Sequence, residues 1–319
     1  MPRLILEGKV FHLKEEESVL DCLLRHEIEV NYGCQAGVCQ SCLLQSEGEV
    51  PEQAQKGLKE TLRVQNYFLA CQCQPQHDLV IKRPVQENFQ AEVISLEHLT
   101  PEVVRLRLSV PEGFQYRPGQ FLNLFHEGQS RSYSLASLPN EPFLELHVRR
   151  VPGGLFSQWI FQDLTRGKRV EMSAAQGECF YTPGRAGQPL LMIGTGTGLA
   201  PLYGIARDAL AQGHTGPIRL YHGSSIPEGL YLQAELRERM ARHSNFSYVA
   251  CQSRGAVADG VRAGRAVEIA LQEERDLKGW RVFLCGNPEM VNAAQRGCFL
   301  AGASVQDIYS DPFLPAASS

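Results

Sequence analysis

The chain is 319 residues long, 43% hydrophobic and 21% charged, with a formal net charge of −4. That length allows two or three domains with cores of their own, whereas the near-neutral charge leaves no basic footprint for nucleic acid. No apolar run is long enough to span a bilayer, and there is no internal repeat or low-complexity tract beyond a short Pro-Ala-Ala-Ser-Ser tail, expected to be disordered.

Leu4 to Leu13 reads as two short strands joined by Glu7-Gly8-Lys9, and Ser18-Val19-Leu20-Asp21 as a capping box opening a helix through Arg25. The opening Met1-Pro2-Arg3-Leu4-Ile5-Leu6 is cut short by Glu7 and has no long apolar stretch, which sets the expectation of a reducing cytoplasm. After the helix, Cys34, Cys39, Cys42 and a distant Cys71 follow the C-x4-C-x2-C…C spacing of a plant-type [2Fe-2S] cluster. Gly33 and Gly37 in the same loop allow backbone angles closed to other residues, so that backbone N–H groups can reach cluster sulfurs. Zinc usually needs two short knuckles and only one is present. A disulfide framework fits an oxidising compartment. Cys22, Cys73, Cys179, Cys251 and Cys298 read as buried thiols, with Cys73 the nearest false ligand because strand spacing would put it on one face with Cys71. Further strands at Leu43 to Val50 and Leu79 to Lys82, with Tyr67 to Ala70 delivering Cys71, complete a β-grasp-like unit over residues 1–84, closed near Arg83-Pro84.

From Ala91 to Arg169, alternating runs at Ala91–Ile94, Val103–Leu108, Phe121–Phe125 and Leu144–Val148 predict an antiparallel β-barrel domain over 88–187. Within it, Arg131-Ser132-Tyr133-Ser134 puts a guanidinium and an aromatic ring on one strand face, suited to a phosphate and a flat ring system such as flavin. A plain strand with one exposed Arg fits the same residues. Arg149-Arg150-Val151-Pro152-Gly153-Gly154-Leu155-Phe156-Ser157 sets two glycines and a hydroxyl before an amphipathic segment, either a phosphate-binding helix start or a simple turn.

Past Pro189, a buried strand at Leu190–Ile193, a tight loop Gly194-Thr195-Gly196-Thr197-Gly198 and a helix over Leu199–Ala211 give the context of a dinucleotide site. Strands at Ile218–Tyr221, Phe246–Ala250 and Val282–Leu284 alternate with helices, predicting an α/β doubly wound parallel sheet over 188–319. Cys285-Gly286-Asn287-Pro288 falls at a strand's carboxyl edge, where Cys285 either faces a nicotinamide or is a buried thiol.

In this order, the motifs resemble the ferredoxin-NAD(P)H reductase components of bacterial multicomponent oxygenases, over essentially the whole chain. The resemblance implies a plant-type [2Fe-2S] ferredoxin, an FAD barrel and a nicotinamide domain, in which NADH gives hydride to FAD and single electrons leave through the cluster to an oxygenase of diiron or Rieske type. It assigns the cluster to Cys34, Cys39, Cys42 and Cys71. It assigns FAD to Arg131, Ser132, Tyr133, Ser134, Arg149, Gly153, Gly154 and Ser157. The nicotinamide cofactor falls to Gly194, Thr195, Gly196, Thr197, Gly198, Cys285 and Gly286, with Ser134 and Cys285 at the reacting centre. Phe313, in Tyr309-Ser310-Asp311-Pro312-Phe313, stands where the family has an aromatic over the flavin, although the chain continues to Ser319 and a surface anchor is the alternative. Gln35 replaces a frequent Arg after the first cluster cysteine.

The stretch Gly223 to Glu228 lacks a basic side chain for a 2′-phosphate, favouring NADH, while Arg254 leaves NADPH open. An iron-sulfur-dependent sugar deoxygenation reductase and a non-turnover redox sensor are the competing readings. Glu15-Glu16-Glu17 is either a partner-steering run or solvated surface.

Overall fold

The computed structural model describes residues 2–82 and 88–313. The expected boundary at Arg83-Pro84 and the C-terminal tail lie outside these residues. The chain divides into two compact units, 1–86 and 87–319.

In the first unit, β1 (Arg3–Leu6) and β2 (Lys9–His12) form a hairpin, followed by α1 (Val19–Arg25), β3 (Leu43–Ser46), α2 (Glu60–Arg63), β4 (Tyr67–Leu69) and β5 (Leu79–Lys82). The strands lie in the order β2-β1-β5-β3-β4, with β1 and β5 parallel and the other pairs antiparallel. Ser18 caps α1 as expected, its hydroxyl accepting from the Asp21 N–H at 3.1 Å. The Ser18 hydroxyl in turn donates to Asp21 Oδ2 at 2.6 Å. Leu20 and Leu23 on α1 meet Leu4, Phe68 and Leu69 from the sheet in one core. Glu17 of the acidic run is turned onto Arg25 at 2.7 Å, so that carboxylate, held down at about 2 by this bond, anchors the helix. Cys71 follows the end of β4 in a 3₁₀ turn, Ala70–Gln72, and strand spacing therefore does not relate it to Cys73. The strand expected to run to Val50 stops at Ser46.

The second unit opens with β6 (Asn88–Thr100), β7 (Val103–Leu108), β8 (Phe121–His126), β9 (Gln129–Ser134), β10 (Leu144–Arg149), α3 (Leu155–Gln162) and β11 (Arg169–Ser173). Their antiparallel order is β10-β7-β6-β11-β8-β9, and a bridge between Leu135 and Leu146 brings the two ends of the sheet together. Register shifts in β6 at Val93/Ser95 and His98/Thr100 supply the bends that closure needs. Inward residues such as Val93, Leu106, Leu122, Leu146 and Ile160 fill this core.

The same unit continues with β12 (Leu190–Thr195), α4 (Leu199–Ala211), β13 (Ile218–Ser224), α5 (Gln233–Arg242), β14 (Phe246–Gln252), β15 (Val261–Ala263), α6 (Ala266–Glu273), β16 (Arg281–Gly286), α7 (Pro288–Leu300) and β17 (Ile308–Pro312). All five strand pairs are parallel, in the order β15-β14-β13-β12-β16-β17. Alternation along β12 sends Leu190 and Met192 to one core and Leu191 and Ile193 to another, so both faces of the sheet are covered. Helix α4 has the bounds the sequence predicts. In the terminal segment Tyr309 is fully buried in β17, stacked on Phe283 with centroids 5.4 Å apart, while Phe313 follows the strand half-buried.

Candidate functional site

The cysteine loop of the first unit draws its sulfurs into two pairs. The Cys34 N–H approaches the Cys39 Sγ at 3.4 Å, and the Cys39 N–H approaches the Cys34 Sγ at 3.4 Å. Cys42 Sγ lies 3.3 Å from Cys71 Sγ. Hydrogen bonds from the Cys34 backbone and from Ser41 draw the exposed Cys39 thiol down to about 6, toward the thiolate that binds metal. Cys73 is fully buried in the core of this unit with Leu20 and Phe68, and burial pushes its thiol up to about 12. Among the described residues no group of three or more Cys, His, Asp or Glu side chains is placed to hold a metal ion. Two cysteine pairs suit two irons sharing sulfides.

Of the two loop glycines, only Gly37 takes a left-handed backbone conformation, and Gly33 is close-packed without one. A Cβ on Gly33 would meet the Cys39 Sγ at 3.3 Å, and Gly37, at φ +76°, would set one 2.9 Å from the Gln72 side chain. Gln72 spans the loop, its amide donating to the Gln35 carbonyl at 3.3 Å and lying 3.6 Å from the Cys71 sulfur. Nothing in the cysteine spacing singles out Gln72, since it acts only once β4 has brought it across.

In the second unit, Arg131 and Tyr133 share a face of β9, both against Phe156 of α3, with the guanidinium carbon 5.9 Å and the Tyr133 centroid 6.2 Å from that ring. Ser132 faces the other way and donates to Asn123 at 2.7 Å. Arg149 is exposed at the end of β10. Gly153 sits at φ +72° and Gly154 is the residue before α3, whose first-turn N–H groups have no acceptor within the helix. The Ser157 hydroxyl is buried and committed to the turn, accepting from the Val151 N–H and donating to the Gly154 carbonyl, each at 3.0 Å. The expectation that this hydroxyl meets a pyrophosphate gives way to one in which it shapes the turn.

The glycine loop follows β12, and Cys285-Gly286 ends the neighbouring β16, at the point where strand order reverses. The two loops interlock. A Cβ on Gly198 would lie 2.2 Å from the Cys285 carbonyl oxygen, and one on Gly286, at φ +118°, would lie 2.6 Å from the Thr195 carbonyl oxygen. A Cβ on Gly194 would strike Leu202 at 2.7 Å. The Asn287 N–H donates to the Thr195 hydroxyl at 3.3 Å, and Asn287 caps α7 through the N–H groups of Glu289 and Met290. Thr197 is half-buried between these turns. Cys285 has no exposed surface, its Sγ is 3.6 Å from that of Cys179, and burial lifts the thiol well above its ordinary value. Of the two sequence alternatives, the side chain takes the buried one.

Barrel and parallel sheet meet at Ser134, whose hydroxyl donates to Asp311 Oδ2 at 3.2 Å. Asp311 pairs with Cys285 across β16 and β17, and the Phe313 N–H donates to the Gly286 carbonyl at 2.7 Å. Burial raises the Asp311 carboxyl to about 6, partly opposed by the Ser134 bond. Asp311 is the site residue that motif reading passes over, because only strand β17 carries it to Ser134.

Comparison with known proteins bears on this geometry. A 2Fe-2S iron-sulfur cluster binding domain matches residues 5–76, an oxidoreductase FAD-binding domain residues 90–181 and an oxidoreductase NAD-binding domain residues 192–296. The ferredoxin–NAD(P)(+) reductase component of the naphthalene 1,2-dioxygenase system of Pseudomonas putida is 31% identical over 93% of this chain and 94% of its own length. The chain belongs to the ferredoxin–NAD(P)(+) reductase components. The reductase is also 31% identical to an aromatic O-demethylase reductase subunit from Amycolatopsis, over 97% of each chain. Among solved structures, a cytochrome P450 reductase of Amycolatopsis matches with a TM-score of 0.70 and 30% identity, covering 99% of this chain and all of the other. The ferredoxin reductase in carbazole 1,9a-dioxygenase matches at 0.66 with 27% identity over 98% of each chain. The reductase is thus an NAD(P)H-dependent oxidoreductase with [2Fe-2S], FAD and nicotinamide-binding domains. Among the described residues no helix is long and apolar enough to cross a membrane.

Proposed function

We propose that the chain delivers electrons from NADH, one at a time, to a terminal oxygenase of diiron or Rieske type in the cytoplasm, with working domain limits of 1–84, 88–187 and 188–319. The observation that carries this reading is the coexistence in one chain of the paired cysteine loop and the Ser134–Asp311 junction between barrel and parallel sheet. Relatives named for naphthalene and terephthalate dioxygenases and for propane and phenol monooxygenases support the acceptor class.

When bound, FAD would accept one hydride, two electrons with a proton, from NADH and pass the electrons singly to the [2Fe-2S] cluster, which takes one at a time. The residues present fit both groups. Cys34 with Cys39, and Cys42 with Cys71, hold the irons. Arg131 supplies charge for the FAD phosphates, Tyr133 a ring face, and Gly153 and Gly154 the close approach to the N-terminus of α3. Arg149, exposed at the end of β10, adds charge for the phosphates, whereas Ser132 faces away onto Asn123. The Ser134 hydroxyl donates to Asp311, whose carboxyl, raised by burial to about 6, takes up or releases its own proton within the working range. Gly194 to Gly198 receive the NADH pyrophosphate at the start of α4, with Thr195 and Thr197 on the same loop. Cys285 and Gly286 form its floor, Cys285 through its backbone, and Phe313 closes the edge. The absence of a basic residue over Gly223 to Glu228 supports NADH.

Anaerobic titration of the purified protein with NADH, and separately NADPH, tests the whole reading by visible absorbance and electron paramagnetic resonance. Bleaching of flavin together with a reduced [2Fe-2S] signal, complete at about 1.5 NADH per chain because three electrons are stored, is the expected result. Bleaching without a cluster signal would leave a diaphorase, and no bleaching would turn the reading to redox sensing. Mixing the reduced protein with a Rieske, a diiron and a P450 acceptor then compares acceptor classes.

A further inference from the structure

His222, near the end of β13, is fully buried directly under the glycine loop. Its Nε2 lies 3.0 Å from the Gly196 carbonyl oxygen. A carbonyl can only accept, so Nε2 carries the proton and Nδ1 does not. The Tyr248 hydroxyl stands 3.5 Å from Nδ1, on the acceptor side of the ring. Burial, joined by the nearby His147 charge and opposed by the Gly196 bond, takes His222 down to about 4, so the ring stays neutral and the donor stays in place at working pH.

The Gly196 carbonyl is held a second time by the Leu199 N–H at the start of α4. A trans peptide is planar, with carbonyl and N–H on opposite sides. Pinning the Gly196 carbonyl down onto His222 therefore aims the Thr197 N–H away from the core. Gly196 sits at φ +55°, and a Cβ there would meet nothing within 4 Å, so the left-handed backbone conformation sets the residue type, and space does not. The support under His222 reaches the barrel: its ring meets Tyr231 edge-on at 5.5 Å, and the Tyr231 hydroxyl lies 3.1 Å from His147 Nδ1 on β10.

We propose that His222 is a positioning residue for nicotinamide dinucleotide binding, its Nε2–H holding the Gly196 carbonyl so that the Thr197 N–H faces the dinucleotide. This rests on the reading of Gly194 to Gly198 as the dinucleotide loop. The flavin-loaded protein and its His222→Phe and His222→Gln variants are titrated calorimetrically with NAD⁺, and NADH–ferricyanide kinetics are measured on each. Phe keeps an aromatic ring without the donor, and Gln restores an N–H.

The expected result for His222→Phe is a Kd for NAD⁺ raised about fivefold, or ~1 kcal/mol, a KM for NADH raised in parallel, kcat within about twofold, and recovery in His222→Gln. A Kd unchanged in the Phe variant, or a Gln variant no better than Phe, would overturn the proposal. Failure of the unsubstituted protein to bind NAD⁺ would instead overturn the loop reading, and the proposal with it. Should the Phe variant not fold, nitrogen NMR of histidine-labelled unsubstituted protein decides: a His222 ring in the Nε2–H form that does not titrate between about pH 5.5 and 9 supports the proposal, and the Nδ1–H form or a charged ring refutes it.

Discussion

Asp311 is a half-buried residue whose carboxyl, turned inward onto Ser134, is raised to about 6 from an ordinary 3.8. Between those values the folded chain holds a proton that the unfolded chain has released, so stability falls as pH rises through the window. Asp311→Asn removes that penalty. Denaturant melts should show the variant gaining roughly 2 kcal/mol over the parent at pH 8 and almost nothing at pH 4; parallel curves would mean the carboxyl is solvated. Flavin reduction by NADH should in the same variant lose its inflection near pH 6. The cluster cysteines allow a cleaner dissection. Cys42→Ala should abolish reduction of cytochrome c while leaving NADH–ferricyanide activity mostly intact, whereas Arg131→Ala should release flavin and stop both. Residue chemistry of this kind was legible in the cysteine and Arg-x-Tyr-Ser spacing, because ligand type and order survive in sequence. Gln72 and Asp311 were not, since each becomes a site residue only across a fold contact.

Elements succeed or fail on how locally they are specified. Helix α4 and strand β7 have the bounds that periodicity predicts, since each alternates or repeats its apolar residues without interruption. Strand β17 does not announce itself, because Ile308–Pro312 is short and ends in proline, and its pairing with β16 is what makes it a strand. The Cys71 turn is similar: Ala70–Gln72 winds into 3₁₀ geometry where spacing suggested an extended run. The glycine loop gives a sharp test at this scale. Because a Cβ at Gly198 would fall 2.2 Å from a backbone oxygen of the neighbouring loop, no side chain can move aside to relieve it. Gly198→Ala should raise the Kd for NAD⁺ by at least about tenfold with flavin retained, measured by calorimetric titration. Ser18→Ala removes the cap of α1 and should cost the first unit about 1 kcal/mol.

Across the second unit, a buried ionic network joins the barrel to the parallel sheet. Arg105 of β7 reaches Glu97 at 3.0 Å and Glu235 of α5 at 2.6 Å. Glu145 of β10 accepts from Arg107 at 3.0 Å and from His147 at 3.1 Å. Burial alone would raise Glu145, but the bond and charge of His147 and the two guanidinium groups outweigh it and bring the carboxyl to about 2, below the ordinary 4.5. A depressed carboxyl stabilises the fold above its unfolded pKa, and this stabilisation is lost as pH falls toward the folded one. Glu145→Gln should therefore cost about 3 kcal/mol at pH 7 and flatten the acid limb between about pH 4.5 and 2, read by chemical denaturation across pH. Because the two units have separate cores, Ser18→Ala should lower only one of two calorimetric transitions, and Glu145→Gln only the other.

Sequence settled the order of the domains, the cluster-type spacing of the cysteines and the placing of a glycine loop between strand and helix, because cysteine spacing, hydrophobic period and glycine placement are properties of neighbouring residues. It left open whether Cys285 presents its thiol and where the terminal aromatics lie. Those answers came from burial and strand order: Tyr309 is enclosed by a core assembled from distant segments, Cys285 is packed against Cys179, and Ser134 meets Asp311 across 177 positions of chain. A side chain's partners at that distance are set by packing, which no local pattern encodes.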